Sequence, residues 1–178
     1  MNLLHDVEPG TKEKMNVIVE IPRGSQNKYE IDKKTGLIKL DRVLHTAQTY
    51  PFDYGFVPQT LWDDGDALDV VILTTAPLLP GILVHARPVA IMPMIDGGEA
   101  DEKIIAVPAD DPRFADIKDL EDVNAHTLKE IAHFFVTYKQ LQKKEVQVGE
   151  YKGRADAEAA FERGRKMYND KATGDRKQ

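Results

Sequence analysis

The chain has 178 residues, of which 42% are hydrophobic and 30% charged, the balance of one ordinary globular domain rather than of a disordered or membrane protein. Its formal net charge of -6 argues against broad binding to nucleic acid or to anionic membranes, because both favour a basic surface. Cysteine is absent, which excludes disulfides and sulfur-based zinc sites, and residues 1–11 lack the pattern of a signal peptide, so we expect a cytoplasmic protein.

Short β-type runs separated by turn residues make up the first two thirds of the chain. Residues 17–21 predict a first strand, and a turn over residues 23–27 leads to a second strand over residues 28–32, so we expect these two strands to form a hairpin. A third strand is expected at residues 37–42. Later strands are predicted at residues 70–73, 82–95 and 103–107.

Two groups of residues allow both a structural and a functional interpretation. Alternation along a strand puts Lys28 and Glu30 on one face, either as a surface ion pair or as part of a site. Residues 50–56 are interpreted as an aromatic loop, in which Tyr50 and Tyr54 either pack in the core or donate hydroxyl groups to a ligand.

The most informative segment is acidic: residues 63–69 hold four carboxylates within seven positions, directly before an apolar run. Hard ions such as Mg²⁺ take oxygen ligands, which Asp64, Asp66 and Asp69 supply on short side chains. Residues 96–102 form a second acidic segment that also leads into a strand. Two such segments favour a site for several metal ions, and solvated acidic turns are the alternative.

The last third of the chain changes to a helical period. Apolar residues recur at intervals of three and four over residues 123–138, which predicts one helix with a buried face. A second helix is predicted over residues 156–168, followed by a short flexible tail from about residue 169. Many short strands followed by helices indicate an α+β fold, a small β-barrel with two flanking helices, in one domain over residues 1–178.

The motifs taken together resemble the soluble family I inorganic pyrophosphatases of the bacterial type. The resemblance covers residues 17–139. It rests on Glu-Ile-Pro at Glu20, Lys-Tyr-Glu-Ile-Asp at Lys28, Asp-Arg at Asp41, Tyr-Pro-x-x-Tyr-Gly at Tyr50, Asp-Gly-Asp-x-x-Asp at Asp64, Asp-x-x-x-x-Asp-x-Lys at Asp96 and His-Phe-Phe-x-x-Tyr-Lys at His133.

The resemblance implies a fold and an activity. The fold would be a five-stranded OB-like barrel with helices outside it. The activity would be hydrolysis of pyrophosphate to two orthophosphates by direct attack of a metal-activated water, with several Mg²⁺ ions per subunit. The resemblance also favours a homohexamer built as two trimers, with the helix near His133 at a subunit contact.

The resemblance also assigns roles to individual residues. Asp66 would be the general base. The metal ligands would be Glu30, Asp64, Asp69, Asp96 and Asp101. The phosphate-binding residues would be Lys28, Arg42, Tyr54, Lys103, Tyr138 and Lys139. Glu20, Asp41 and Tyr50 would surround them. Three departures from the family pattern lie close to these residues, namely Ala67 in place of proline, Gly97 in place of a second acid, and Thr137, where some relatives have histidine.

Two other functions are each compatible with part of this sequence. Asp64-Gly65-Asp66 is an Asp-x-Asp motif of the kind used by metal-dependent glycosyltransferases, but the chain shows no βαβ alternation. A non-enzymatic nucleic-acid binder with an OB fold would need a basic, aromatic groove, which the net acidity and the clustered carboxylates disfavour.

Overall fold

A computed structural model describes residues 1–175 and contains eleven strands and two α-helices within that range. The strands are β1 (Met15–Ile21), β2 (Asn27–Ile31), β3 (Ile38–Val43), β4 (Asp53–Phe56), β5 (Asp69–Ile72), β6 (Leu83–Met92), β7 (Met94–Asp96), β8 (Glu99–Ala100), β9 (Lys103–Pro108), β10 (Val146–Val148) and β11 (Lys152–Gly153). The helices are α1 (Ala125–Thr137) and α2 (Arg154–Asp175), and short 3-10 turns occupy Pro112–Phe114, Leu120–Asp122 and Gln140–Gln142.

Five of these strands close into a barrel. Their order is β1-β4-β5-β9-β6, and pairing of β6 with β1 completes the ring. All pairs in the ring are antiparallel except β5 with β9, which are parallel, with Asp69 opposite Lys103. The predicted α+β fold with a five-stranded barrel is therefore confirmed.

The predicted hairpin between residues 17–21 and 28–32 is wrong. Strand β1 pairs with β4 and β6 inside the barrel, whereas β2 pairs with β3 in a separate two-stranded sheet. The cause is long-range: the turn after β1 is held by Arg23 N, which donates to Asp53 Oδ1 at 2.8 Å, and by Gly24 N, which donates to Tyr50 O at 2.8 Å. These bonds direct the chain away from β1, so the β2–β3 hairpin stands beside the barrel mouth.

The aromatic loop predicted over residues 50–56 is half strand, because residues 53–56 form β4 in the centre of the sheet. Within this strand, Gly55 serves close packing. A Cβ atom at this position would lie 2.0 Å from Ile18 O on β1. Glycine therefore allows β4 to approach β1, and it leaves the neighbouring Tyr54 ring buried in the barrel.

The strand predicted over residues 82–95 is two strands. Strand β6 ends at Met92, and β7 begins after Pro93, which has no N–H to continue the ladder. Strands β7 and β8 form a hairpin whose two-residue turn is Gly97-Gly98, with φ of 60° and 86°. Such a turn favours residues that tolerate positive φ, which explains glycine at position 97.

Both predicted helices are present. Helix α1 begins after Asn124, whose Oδ1 accepts from His126 N at 2.9 Å, and its buried face packs Phe134 and Phe135 into one core cluster with β5 and β9. Helix α2 buries Ala157 and Phe161 in a second cluster on the barrel. No helix within residues 1–175 is both long and apolar enough to cross a bilayer.

The flexible tail predicted from residue 169 is instead helical as far as Asp175, and residues 176–178 lie outside the described part of the chain. The sequence after Tyr168 is polar, which suggested an early end. Polarity alone does not end a helix, and no glycine or proline follows Tyr168 before Gly174.

Candidate active site

The predicted site residues gather at one end of the barrel. A cleft of about 400 Å³ opens there between β4 and β5 on one side and the β2–β3 hairpin on the other. Its walls include Glu20, Lys28, Glu30, Tyr54, Asp66 and Asp69. The remaining predicted residues continue the site beyond this cleft, as described below.

The most buried charge in the site is Lys103, which is only 2% exposed. The β5–β9 register sets it opposite Asp69, and its Nζ donates to Asp69 Oδ2 at 2.6 Å and also to Asp101 Oδ1. Burial alone would lower the pKa of Lys103, but the two carboxylates outweigh burial and raise it. Lys103 is therefore a permanent cation between two acids, with Tyr54 and Phe135 rings beside it.

Negative charge exceeds positive charge around this lysine. Burial, and then the neighbouring carboxylates Asp101 and Asp69, raise the pKa of Asp64 to about 7. The pKa of Asp69 is also raised, chiefly by burial, although Lys103 opposes the change. Each of these aspartates is harder to ionise than usual, first because it is shielded from water and then because other carboxylates lie nearby. The arrangement favours additional positive charge.

Glu20 lies at the base of the cleft and is 6% exposed. Its Oε1 accepts from Ile31 N at 2.7 Å, which ties the β2–β3 hairpin to β1. Burial, followed by repulsion from Asp69, raises the pKa of Glu20 to about 8. Glu20 therefore supports the hairpin from below and carries a proton over much of the neutral pH range.

A chain of ion pairs runs along the hairpin. Lys28 Nζ lies 3.4 Å from Glu30 Oε2 and 3.5 Å from Asp41 Oδ2. Arg42 Nη1 donates to the same Asp41 oxygen at 3.1 Å. The register that pairs Lys28 with Arg42 across β2 and β3 brings both cations to one side of the cleft.

Arg42 has an unusual feature: its Nη2 atom is buried and makes no hydrogen bond in the described part of the chain. Buried guanidinium groups without a partner are costly, and an anionic ligand would satisfy this one. Burial raises the pKa of the Tyr50 and Tyr138 phenols. The charge of nearby Arg42 acts against that rise in both cases. The orphaned donor marks this wall as a place for a phosphate-like group.

The end of α1 adds another lysine. Lys139 donates to Asp96 Oδ2. Burial is the main cause that lowers the pKa of Lys139, and Asp96 opposes this change. The positive charges of Arg42 and Lys28 lower the pKa further. Three cations, Lys28, Arg42 and Lys139, are therefore close enough to repel one another on this side of the site. Tyr138, the C-cap of α1, packs its ring on Phe134 and is buried.

The core-packing interpretation of the two tyrosines is confirmed, and donation of their hydroxyl groups to a ligand stays a prediction. Tyr50 is 2% exposed and its ring centroid lies 4.7 Å from that of Phe134, so it packs in the core. Tyr54 is buried as well, and burial, followed by the charges of Asp69 and Asp101, raises the pKa of its phenol.

Asp66 differs from the other acids because its side chain is 58% exposed. Its ion-pair partner is Lys33, at the tip of the β2–β3 hairpin, which the sequence analysis did not single out. The two residues are 33 positions apart in the chain and belong to different elements, so no local pattern indicates the contact. Lys33, Lys34 and Lys39 also line the cleft, and the available signal in the sequence was their position close to the predicted site residues Lys28 and Glu30.

The donor chemistry fits divalent metal ions. Asp64, Asp69 and Asp101 offer hard oxygen ligands and carry more negative charge than Lys103 balances. Among residues 1–175, no three His, Cys, Asp or Glu side chains are already close enough to form an ion site. In this structure the Lys103 ammonium lies in contact with both Asp69 and Asp101.

Known proteins share this sequence and fold. The profile of the family described as inorganic pyrophosphatase matches residues 17–169. The soluble inorganic pyrophosphatase of Oryza sativa subsp. indica is 48% identical over 166 residues, which cover 92% of this chain and 78% of that protein. The inorganic pyrophosphatase of Halalkalibacterium halodurans is 51% identical over 146 residues, which cover 82% of this chain and 88% of that protein.

Solved structures agree with these relatives. The crystal structure of the inorganic pyrophosphatase from Thermus thermophilus has a TM-score of 0.91 and 44% identity, covering 95% of this chain and 99% of that chain. The inorganic pyrophosphatase of Helicobacter pylori has a TM-score of 0.89 and 40% identity, covering 92% and 99%. The similarity therefore includes the barrel, both helices and the cleft.

Proposed function

The chain belongs to the inorganic pyrophosphatase family, and on this premise we propose how its cleft hydrolyses pyrophosphate to two orthophosphates with Mg²⁺. The observation that carries the proposal is the excess of negative charge around Lys103, opposite a wall with an unsatisfied arginine donor. One half of the cleft suits cations and the other suits phosphate. Neither the glycosyltransferase nor the nucleic-acid binder is supported by any relative.

Five acids would hold the metal ions. Asp64, Asp69 and Asp101 would bind the first, and Asp69 would share a second. Asp96, Asp101 and, through waters, Glu30 would bind ions that arrive with the substrate. Divalent ions, when bound, lower the pKa of water and neutralise developing charge on phosphate oxygens. Burial, followed by the charges of Asp101 and Asp69, raises the pKa of Asp64 to about 7, and a bound cation would oppose both effects, which supports this assignment.

Asp66 would act as the general base. Its carboxylate is exposed at the cleft, unlike the half-buried acids around Lys103, so it is free to accept a proton from water. The oxygen of that water bonds to one phosphorus while the bond from this phosphorus to the bridging oxygen breaks. The released phosphate leaves with the bridging oxygen, and the proton stays on Asp66 until solvent removes it.

Basic and phenolic groups would bind the two phosphates. Arg42, Tyr138 and Lys139 would contact one of them, and Lys28, Tyr54 and Lys103 the other. Phosphoryl transfer depends chiefly on positioning and charge stabilisation, which fixed cations in a partly buried cleft supply. The buried, unpaired Nη2 of Arg42 supports the first assignment. Glu20, Asp41 and Tyr50 would hold these groups in place.

The experiment measures phosphate release from pyrophosphate by the purified chain with Mg²⁺ and with excess chelator. We expect activity only with the metal, since the acidic cleft otherwise repels the substrate. Asp66→Asn should lower kcat by roughly 10² to 10⁴ while the fold is retained. Asp63→Asn is the matched control, because that carboxylate pairs with Arg163 outside the cleft at 2.6 Å. Full activity in chelator, or in Asp66→Asn, would reject the respective assignment.

A homohexamer and a cytoplasmic location complete the proposal. An open apolar groove beside α1, lined by Pro51, His133 and Phe134 among others, supports a subunit contact there. Light scattering at micromolar concentration checks the assembly, and a mass near the 20.0 kDa of one chain would contradict it. The absence of cysteine fits a reducing compartment, which cell fractionation would test.

A further inference from the structure

The tip of the β2–β3 hairpin reaches across the cleft to the loop that carries Asp66. Lys33 Nζ contacts Asp66 Oδ1 and donates to Gly65 O at 3.2 Å. One ammonium group thus holds both the side chain and the adjacent backbone of the loop. Among the residues that the structure describes, no other side chain forms an ion pair with Asp66.

The backbone that carries Lys33 is fixed by a built turn. Asp32 Oδ1 accepts from Lys34 N at 3.1 Å, from Thr35 N at 2.8 Å and from Thr35 Oγ1 at 2.9 Å. Gly36 N donates to Asp32 O at 2.7 Å. A turn with this many internal bonds limits the positions that the Lys33 side chain can reach.

The N-terminal segment supports this turn from behind. Asn2 Nδ2 donates to Lys33 O at 3.3 Å, and Gly36 packs so closely that a Cβ atom there would lie 2.8 Å from Asn2 Cα. The same segment contacts the chain ahead of the Asp66 loop, because Gln59 N donates to Leu4 O at 2.9 Å. The N-terminal segment therefore contacts both the hairpin that carries Lys33 and the chain ahead of the loop that carries Asp66.

The Asp66 loop has less support of its own. Trp62 N donates to Asp66 O at 2.7 Å and Asp66 N donates to Asp64 Oδ1 at 3.0 Å, so the backbone is held. The carboxylate itself is directed only by χ angles and by Lys33. A general base must lie within hydrogen-bond reach of its water, and misplacement of about 1 Å is enough to lower the rate strongly.

We propose that Lys33 is a positioning residue, whose ammonium group holds the Asp66 carboxylate in the orientation that accepts the proton. This inference rests on the proposed role of Asp66 as general base. The Lys33 ammonium contacts Asp66 Oδ1 and Gly65 O, neither of which belongs to a residue assigned here to metal or phosphate, so its effect should pass through Asp66. Removing it should lower kcat and leave KM for pyrophosphate nearly unchanged.

Lys33→Ala is compared with Lys34→Ala at saturating Mg²⁺. The two changes remove the same charge from neighbouring exposed positions, but Lys34 makes no ion pair within residues 1–175. We expect a fall in kcat of roughly 3- to 10-fold for Lys33→Ala, the range of a partly misplaced group, and a change under about 2-fold for Lys34→Ala. Lys33→Arg should recover most of the lost rate.

A double-mutant cycle with Asp66→Asn separates positioning from a general charge effect. If Lys33 acts through Asp66, Lys33→Ala should lower kcat far less in the Asp66→Asn background than in the wild type. Equal losses in both backgrounds, equal kcat in the Lys33 and Lys34 variants, or a faster Lys33→Ala enzyme would overturn the inference alone. A fully active Asp66→Asn variant would instead overturn the proposed base, and with it this inference.

Discussion

Two lysine–aspartate contacts occur at the same cleft in opposite environments. The Lys103 side chain is 3% exposed and lies between Asp69 and Asp101, whereas Lys33 and Asp66 are 59% and 58% exposed. In the interior an unpaired charge is very costly, so the first contact belongs to the stable core. At the surface water screens the charges, so the second contact orients a group without stabilising the fold much.

The difference separates two tasks within one site. In the buried half, Lys103 keeps its positive charge, because Asp69 and Asp101 outweigh burial and raise its pKa. The exposed half contains the group that must gain and lose a proton in each turnover. Burial of Asp66 like that of Asp69 would raise its preference for the protonated state and hinder its use as a base.

The largest expected effect is that of Lys103→Met. Methionine fills similar space but leaves Asp69 and Asp101 unpaired in the interior. We expect the free energy of unfolding at neutral pH to fall by roughly 3 to 5 kcal/mol and pyrophosphate hydrolysis to be lost. Urea unfolding followed by circular dichroism measures the first, with Lys33→Met as the exposed control. Similar losses of unfolding free energy in the two variants would contradict the proposed difference between the buried and the exposed half of the site.

Glu20→Gln tests the buried half through pH. The pKa of Glu20 is about 8 in the fold against a reference of 4.5, so its stabilising contribution is complete below about pH 4.5 and is lost as pH rises to about 8. Glutamine keeps the acceptor for Ile31 N but cannot ionise. In chelator, the variant should therefore gain roughly 3 kcal/mol of stability relative to wild type between about pH 5.5 and about pH 9. A difference that does not change with pH would contradict the assignment.

Arg42→Lys addresses a residue of intermediate burial. Lysine keeps the charge but loses the second donor, the Nη2 atom that has no partner in the described chain. We expect KM for pyrophosphate to rise about 10-fold with a smaller change in kcat, because a planar, two-donor contact becomes a point charge. Steady-state kinetics check this. An unchanged KM would show that Nη2 does not face the substrate.

The smallest effect should come from Lys39→Ala in the exposed half. Lys39 Nζ lies 3.4 Å from Glu30 Oε1 and 3.6 Å from Asp32 Oδ2, and its hydrogen bond with Glu30 raises its pKa. Solvent screens these pairs, so kcat and KM should change by less than about 2-fold at physiological salt. A large fall in activity that persists at high salt would mean that the hairpin is less exposed in the working enzyme.

Local patterns predicted much of this molecule. The period of α1, the strand with Lys103 and the acidic segment ahead of β5 were all visible, because each depends on residues close in sequence. The motifs then indicated which acids and bases share one site. The turn at Gly97-Gly98 was read as a lost carboxylate, and the structure adds a conformational reason for glycine there.

The errors have a common cause in long-range contacts. Strand β4 was missed because the close approach of Gly55 to Ile18 depends on a distant strand. The path of β2 depends on Asp53, a buried acid that accepts from Arg23 N and from Leu78 N at 3.0 Å. Lys33 was overlooked for the same reason, since its partner lies 33 positions later. Such contacts leave no periodic signal in either segment.

The parallel pairing of β5 with β9 has a consequence for the recovery of denatured protein. Asp69 and Lys103 are 34 positions apart and meet only when these strands align in the correct register. A chain that has formed its helices and its β2–β3 hairpin, but not this pair, still lacks the centre of its site. Recovery of enzymatic turnover therefore reports barrel closure during refolding. It should occur later than recovery of the helical circular dichroism signal.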